Sequence, residues 1–375
     1  MRLTIRLACI LSLAAAGLAV PAGAQREDSH IVNNDDHRII SNHDGHNLEI
    51  HMRGAVDFND AGDWVVAVPA GGLFTIEERD NGERRLEFRP GEGGPRVRYY
   101  VNDREQPLDG TGRAWAQRHI ERAVRESGFG AERRVARLRA RGGVSAVLAD
   151  MGRLRSDVAR RNYYRALLNN GSMSTGEFTR VMDDVGRRMG SDVETRLVLI
   201  DASAQAGEGA GLAALLRAAQ GIDSDVETRL VLTHVAGRHR LSEGAVRDAF
   251  FRAVAGLGSD VERRLVLNAV LDERLADGAS REAFFRAVSE FDSDVERRIV
   301  LSELLRGDAP EATVIAAIHS AGEMSSDVEK RIVLSAVPSS RLRSERVVAA
   351  YRRVAQEMGS STERQIALRR LDGGR

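Results

Sequence analysis

A chain of 375 residues with 55 basic and 55 acidic side chains has no net charge at neutral pH, so it lacks the basic excess by which proteins track phosphate backbones. Its one cysteine, Cys9, has no partner for an internal disulfide, and it falls in the N-terminal stretch read below as a cleaved signal, so no cysteine-ligated metal is expected either. A nucleic-acid partner and a disulfide scaffold are thereby set aside.

In chain order, residues 1–24 read as a secretory signal. Arg2 and Arg6 precede an apolar run over 7–20, Pro21 breaks it, and Ala22-Gly23-Ala24 offers small residues for cleavage between Ala24 and Gln25. The run has 14 residues, short of the ~20 that a membrane span needs. The expected location is periplasmic or secreted, with no membrane span after cleavage. Residues 25–37 (QREDSHIVNNDDH) are polar and aperiodic, and are expected to form a flexible leader.

Residues 38–110 alternate apolar and polar. Leu48, Ile50 and Met52 share one phase; Phe74 and Ile76 lead into Asp80-Asn81-Gly82, and Leu86 and Phe88 follow it. Asn and Gly tolerate the positive φ of tight turns, so this stretch predicts a hairpin. With a last strand over 96–101, a small antiparallel sheet of about five strands is expected.

From residue 111 the period lengthens to three or four. Residues 111–155 read as a helical linker holding a degenerate copy (FGAERRV, from Phe129) of a phrase that then recurs. It begins at Ser156 (SDVARR), Ser191 and Ser224 (SDVETR), Ser259 and Ser293 (SDVERR) and Ser326 (SDVEKR), with a worn copy at Ser360 (SSTERQ); the spacings are 35, 33, 35, 34, 33 and 34 residues. That period suits two helices and two turns. Serine suits a helix N-cap, glutamate three residues on suits a capping box, and aspartate suits the positive helix end. Aspartate also stands four residues before arginine, as in Asp260 with Arg264, a spacing for an ion pair on one face. Val261, Leu265, Val266 and Ala269 are expected to face the core. Second helices are expected to start at Ser174 (with Glu177), Ser242, Ser280, Asp308 (with Glu311) and Ser344, and helices to stop in left-handed conformation at Gly190, Gly258 and Gly359. The fold class expected is α+β: a small N-terminal antiparallel sheet followed by a right-handed α-solenoid of ~34-residue helix pairs over 156–371, then a disordered tail over 372–375.

The 34-residue helix-pair period is similar to that of tetratricopeptide repeats, although the aromatic and Gly-Tyr positions of that consensus are missing. The Asp-to-Arg column resembles HEAT-type repeats. A β-rich front followed by SDxExR helices also resembles uncharacterised exported bacterial proteins, and repeat segments near or fused to membrane metallopeptidases of the β-lactam-sensor type. What the resemblance implies is architecture; the chain has no HExxH, so no peptidase activity comes with it.

No catalytic motif is found, no cofactor is expected, and a non-enzymatic role is the reading. Gly207, Gly209 and Gly211 alternate without a preceding strand or a following P-loop lysine, as a loop would. Among the histidines of 30–51, His43, His46 and His51 are weak metal candidates, mixed with acids in no recognised ligand spacing. Seven residues before each phrase serine stand Asp184, Arg217, Arg252, Arg286, His319 and Arg353. In stacked units these would form a ladder: either a partly basic groove for an acidic peptide, carboxylate or glycan, or arginines paired or solvated locally. The leading expectation is an exported scaffold that binds a protein or peptide. The alternatives are an accessory partner of a membrane metallopeptidase or envelope-stress sensor, and a metal-binding or enzymatic protein using the histidine cluster.

Overall fold

The computed structural model describes residues 27–33, 36–43, 46–80, 82–271, 275 and 277–373. The chain divides into two units, residues up to 59 with 63–120, and residues 60–62 with 121 onward.

The first unit is built on an antiparallel sheet. Its described strands are β1 (Glu27–Asn33), β2 (Asp36–His43), β3 (His46–Arg53), β6 (Leu73–Asp80), β7 (Gly82–Arg89), β8 (Arg96–Val101) and β9 (Arg104–Gln106), in that order. A second pair, β4 (Asp57–Phe58) and β5 (Val65–Ala67), lies between β3 and β6 in sequence. The hairpin read from Asp80-Asn81-Gly82 is β6–β7, with Phe74 opposite Phe88 and Ile76 opposite Leu86. Strand β1 and the start of β2 occupy the stretch expected to be a flexible leader. Their pairing runs through backbone groups, which an apolar pattern does not report. The even-numbered residues of β3, β6 and β7 make the core face: Leu48, Ile50, Met52, Phe74, Ile76, Leu86 and Phe88 are all buried. Residues 110–120 of helix α1 (Gly110–Ser127) cover it with Trp115, Ala116 and Ile120, and the indole Nε1 of Trp115 donates to Glu78 at 2.7 Å.

The second unit is helical. It opens with α2 (Ala131–Met151), bent at Gly142-Gly143, where Gly143 takes φ +64°. The bend folds the degenerate copy back on itself, so that Arg134 forks onto Asp150 at 2.7 and 2.8 Å. Helix pairs follow: α3 (Asp157–Asn169) with α4 (Thr175–Arg188), α5 (Asp192–Ser203) with α6 (Ala210–Ala219), α7 (Asp225–Arg238) with α8 (Gly244–Ala255), α9 (Asp260–Asn268) with α10 (Gly278–Ser289), α11 (Asp294–Arg306) with α12 (Glu311–Gly322), and α13 (Asp327–Ala336) with α14 (Glu345–Gln356). Helix α15 (Ser361–Gly373) comes last. Each helix packs on the one two places further along, giving a layer of odd-numbered helices and a layer of even-numbered ones. One continuous apolar core runs between them.

The repeated phrase caps its own helix through its serine, as expected, and also joins neighbouring repeats through its aspartate and arginine. At each of the six junctions among the described residues, the aspartate accepts from the backbone N–H of the next copy's serine: Asp157 from Ser191 (2.6 Å), Asp192 from Ser224 (2.9 Å), Asp225 from Ser259 (2.7 Å), Asp260 from Ser293 (2.7 Å), Asp294 from Ser326 (2.7 Å) and Asp327 from Ser360 (2.7 Å). The arginine four residues after the aspartate crosses the same junction. Arg161 meets Glu194 at 2.8 Å, and Arg196, Arg229, Arg264, Arg298 and Arg331 meet Glu227, Glu262, Glu296, Glu329 and Glu363. The arginine expected to pair with the aspartate four residues before it is thus turned to the next repeat; where the aspartate pairs within its helix, the cation is three residues on, as in Asp157 with Arg160 (2.6 Å), Asp260 with Arg263 (2.5 Å) and Asp327 with Lys330 (3.3 Å). Glutamate does not reach back to its own serine, whose N–H the preceding aspartate already holds. The serine hydroxyls do cap, accepting from the N–H three residues on in Ser156, Ser191, Ser224, Ser259, Ser293 and Ser326.

These contacts carry a sign for acid stability. The N–H of Ser360, then Lys330, holds the Asp327 carboxyl below its ordinary value of 3.8. A carboxyl depressed in the folded state stabilises fully above that ordinary value, and the contribution is lost as pH falls through the folded one. In urea titrations, the stability difference between wild type and Asp327→Asn should shrink as pH drops below 3.8. A difference that stays constant through acid would refute it.

Other local expectations shift. Among the second helices, Ser174 and Glu177 form a full capping box and Ser344 caps α14. Glu243 takes the place expected for Ser242, Asp277 that of Ser280, and Pro310 that of Asp308. Gly190, Gly258 and Gly359 are not left-handed; Gly190 and Gly258 instead donate their N–H to Asp157 and Asp225.

Candidate binding surfaces

Two kinds of surface are open on the helical unit, one built of what recurs and one of what varies. On the odd-numbered helices the phrase valine is exposed, not buried as expected: Val193, Val226, Val261, Val295 and Val328 each keep 44–45% of their surface, and Leu265 keeps 37%. The buried stripe is displaced along the helix to Arg263, Val266, Leu267 and Val270. Arginine tolerates that inner position because its guanidinium reaches backbone carbonyls, those of Leu257 and Glu290, and lies over the Phe291 ring at 5.4 Å from its centroid. Arg160 and Arg364 make the matching contact to the carbonyls of Leu154 and Met358, six residues back.

The even-numbered helices carry the column counted from the serines. Arg217, Arg252, Arg286, His319 and Arg353 are exposed, on α6, α8, α10, α12 and α14. Their partners differ. Arg217 lies 3.9 Å from Asp183, and Arg353 lies 3.1 Å from Glu357; both are exposed pairs worth about 0–1 kcal/mol. The side chains of Arg252, Arg286 and His319 have no ion pair or hydrogen-bond partner among the described residues, although Asp248 and Glu282 stand one turn before the two arginines. Asp184 does not belong to the exposed column. It is 2% exposed, accepts from the Tyr164 hydroxyl at 2.9 Å and from Arg188 Nε at 2.8 Å, and serves the core. Burial, with the Asp184 charge beside it, pushes the Tyr164 phenol well above its usual range.

One serine–histidine pair invites a catalytic reading and fails it. Arg238 Nη1 is 3.1 Å from His234 Nδ1 and only donates. The ring proton therefore sits on Nε2, which donates to Ser203 Oγ at 2.9 Å, while that hydroxyl donates to the Ile200 carbonyl at 2.8 Å. Burial first, then Arg238, hold His234 below its ordinary value and neutral. A base that offers its proton to the serine does not activate it. Gly207 and Gly209, both at positive φ, lie in the loop before α6.

The side chains of His43 and His46 lie outside the described residues, as do Ala24, Gln25 and the apolar run 7–20. Among the described residues no three His, Cys, Asp or Glu side chains are grouped to hold a metal ion, and no helix is long and apolar enough to cross a membrane. No family model, curated protein or solved structure matches the chain.

Proposed function

We propose that this chain is an exported, non-enzymatic scaffold. In this reading the helical array is a right-handed α-solenoid whose even-numbered layer binds a protein or peptide partner carrying acidic groups. The observation that supports it is the sequence of Arg252, Arg286 and His319: exposed, on three consecutive repeats, and with no side-chain partner among the described residues. Stacked helices lie about 10 Å apart, so the column offers guanidiniums and an imidazole at a spacing that an extended acidic segment spans. The recurring phrase is occupied with holding repeats together, which leaves the varying positions to choose the ligand. Periplasmic or secreted placement rests on the reading of residues 1–24.

The test is capture from envelope extracts with the wild-type chain and with a variant carrying Arg217→Glu, Arg252→Glu, Arg286→Glu and Arg353→Glu. The expected result is a partner retained by wild type and lost from the charge-reversed chain. An unchanged set of partners would remove the column from function.

A further inference from the structure

We propose a second binding site, in the first unit, for a small carboxylate-bearing molecule: the cavity at the β8–β9 end of the sheet, with Arg84 and Arg104 as the carboxylate-binding groups. The cavity measures ≈ 870 Å³, within the span of small-molecule sites.

Its chemistry follows from the register of the sheet. Arg84 stands opposite Val101, and Val101 opposite Arg104. The three make one row across β7, β8 and β9, on the face where Leu86 and Phe88 are buried. Adjacent strands are about 4.8 Å apart, so the backbones of the two arginines lie roughly 10 Å from each other, one on each side of Val101. A core-facing row is where aliphatic side chains are expected; here it ends in two guanidiniums, which present paired N–H donors suited to a planar carboxylate.

Among the described residues, neighbouring arginine side chains of the sheet are occupied and these two are not. Arg79 pairs with Glu77, Arg85 lies near Glu87 and Asp103, and Arg89 near Glu87. Glu78 faces Arg84 across the β6–β7 ladder, but its carboxylate accepts from Trp115 at 2.7 Å and faces His119 at 3.7 Å. The side chains of Arg84, half-buried, and Arg104 have no ion-pair or hydrogen-bond partner among the described residues. The acid in the cavity wall, Asp109, accepts from the N–H of Gly112 at 2.6 Å.

The remaining lining adds hydrogen-bonding groups for the body of a ligand: the phenol of Tyr99, the hydroxyl of Thr111 and the amide of Gln106, with Val101 as an apolar floor. Gly112 lets α1 close against Tyr99 in the cavity wall, since a Cβ there would stand 2.9 Å from its ring.

The test titrates the full chain with glutarate, and with glutaramide as its uncharged analogue, by isothermal calorimetry and NMR. Wild type should bind glutarate saturably, with the shifted amides in β8, β9 and the first turn of α1, and should not bind glutaramide. Arg84→Gln and Arg104→Gln keep side-chain length and remove the charge; each should weaken glutarate binding by about 10-fold or more. Arg104 is exposed, so its variant reports on the site even if Arg84→Gln disturbs the sheet, which circular dichroism checks. Absence of glutarate binding to the folded wild type, equal binding of glutaramide, or an unchanged affinity in Arg104→Gln would each overturn the assignment.

Discussion

Ala159→Glu, which would make the first copy of the phrase match the others, is expected to lower stability by about 3–5 kcal/mol. In later copies glutamate at this position receives an arginine from the preceding repeat, as Glu262 receives Arg229. Ala159 is fully buried, and its neighbour in that direction is Gly128, held at φ +73° with its missing Cβ only 3.0 Å from the Ala159 backbone. A carboxylate there would be buried without a cation, in a space with no room for its stem. The last copy is marked in the complementary way, with Ser361 in place of the junction aspartate and Gln365 in place of the arginine. The phrase thus loses its backward-facing group in the first copy and its forward-facing groups in the last. Urea denaturation checks the first point: a shift as small as that of a surface substitution would contradict it.

Asp225→Ala is expected to destabilise the array by about 2–3 kcal/mol, the range for hydrogen bonds to a charged acceptor. The Asp225 carboxylate accepts from both Gly258 (3.1 Å) and Ser259 (2.7 Å), so alanine removes two contacts across one junction. Arg229→Ala, which removes a partly exposed ion pair at the same junction, is expected to have about a third of that effect. Equal losses for the two variants would mean that the ion pairs, and not the backbone contacts, hold repeats together.

Much of this architecture was legible in the chain. The sheet, its Asp80-Asn81-Gly82 hairpin, the helical period and the serine caps all follow from local rules of φ, spacing and capping. What escaped was the direction of each contact. Asp225 has Arg229 four residues on along its own helix and the Ser259 amide thirty-four residues away, and spacing within one copy sees only the first. The buried stripe was misplaced for a related reason: arginine at 263 reads as surface until the carbonyls of Leu257 and Glu290 are brought beside it, and Val261 reads as core until its face proves to be the outer one. For the column seven residues before each serine, spacing found the exposed residues on five helices but not that Asp184 turns inward, which depends on Tyr164 in the neighbouring helix. The cavity between Arg84 and Arg104 left no motif, because it arises from cross-strand register and not from any run of letters.

Each aspartate of the phrase holds the serine N–H of the next repeat, and in Asp225 that contact, with the Gly258 N–H, is what its carboxylate supplies. Amide hydrogen exchange in Asp225→Ala tests this most directly. Protection should fall at Gly258 and Ser259, at the start of α9, while Ser224 and Glu227 at the start of α7 keep theirs. Loss of protection at Ser224 and Glu227 with Ser259 unchanged would contradict this and return Asp225 to its own helix.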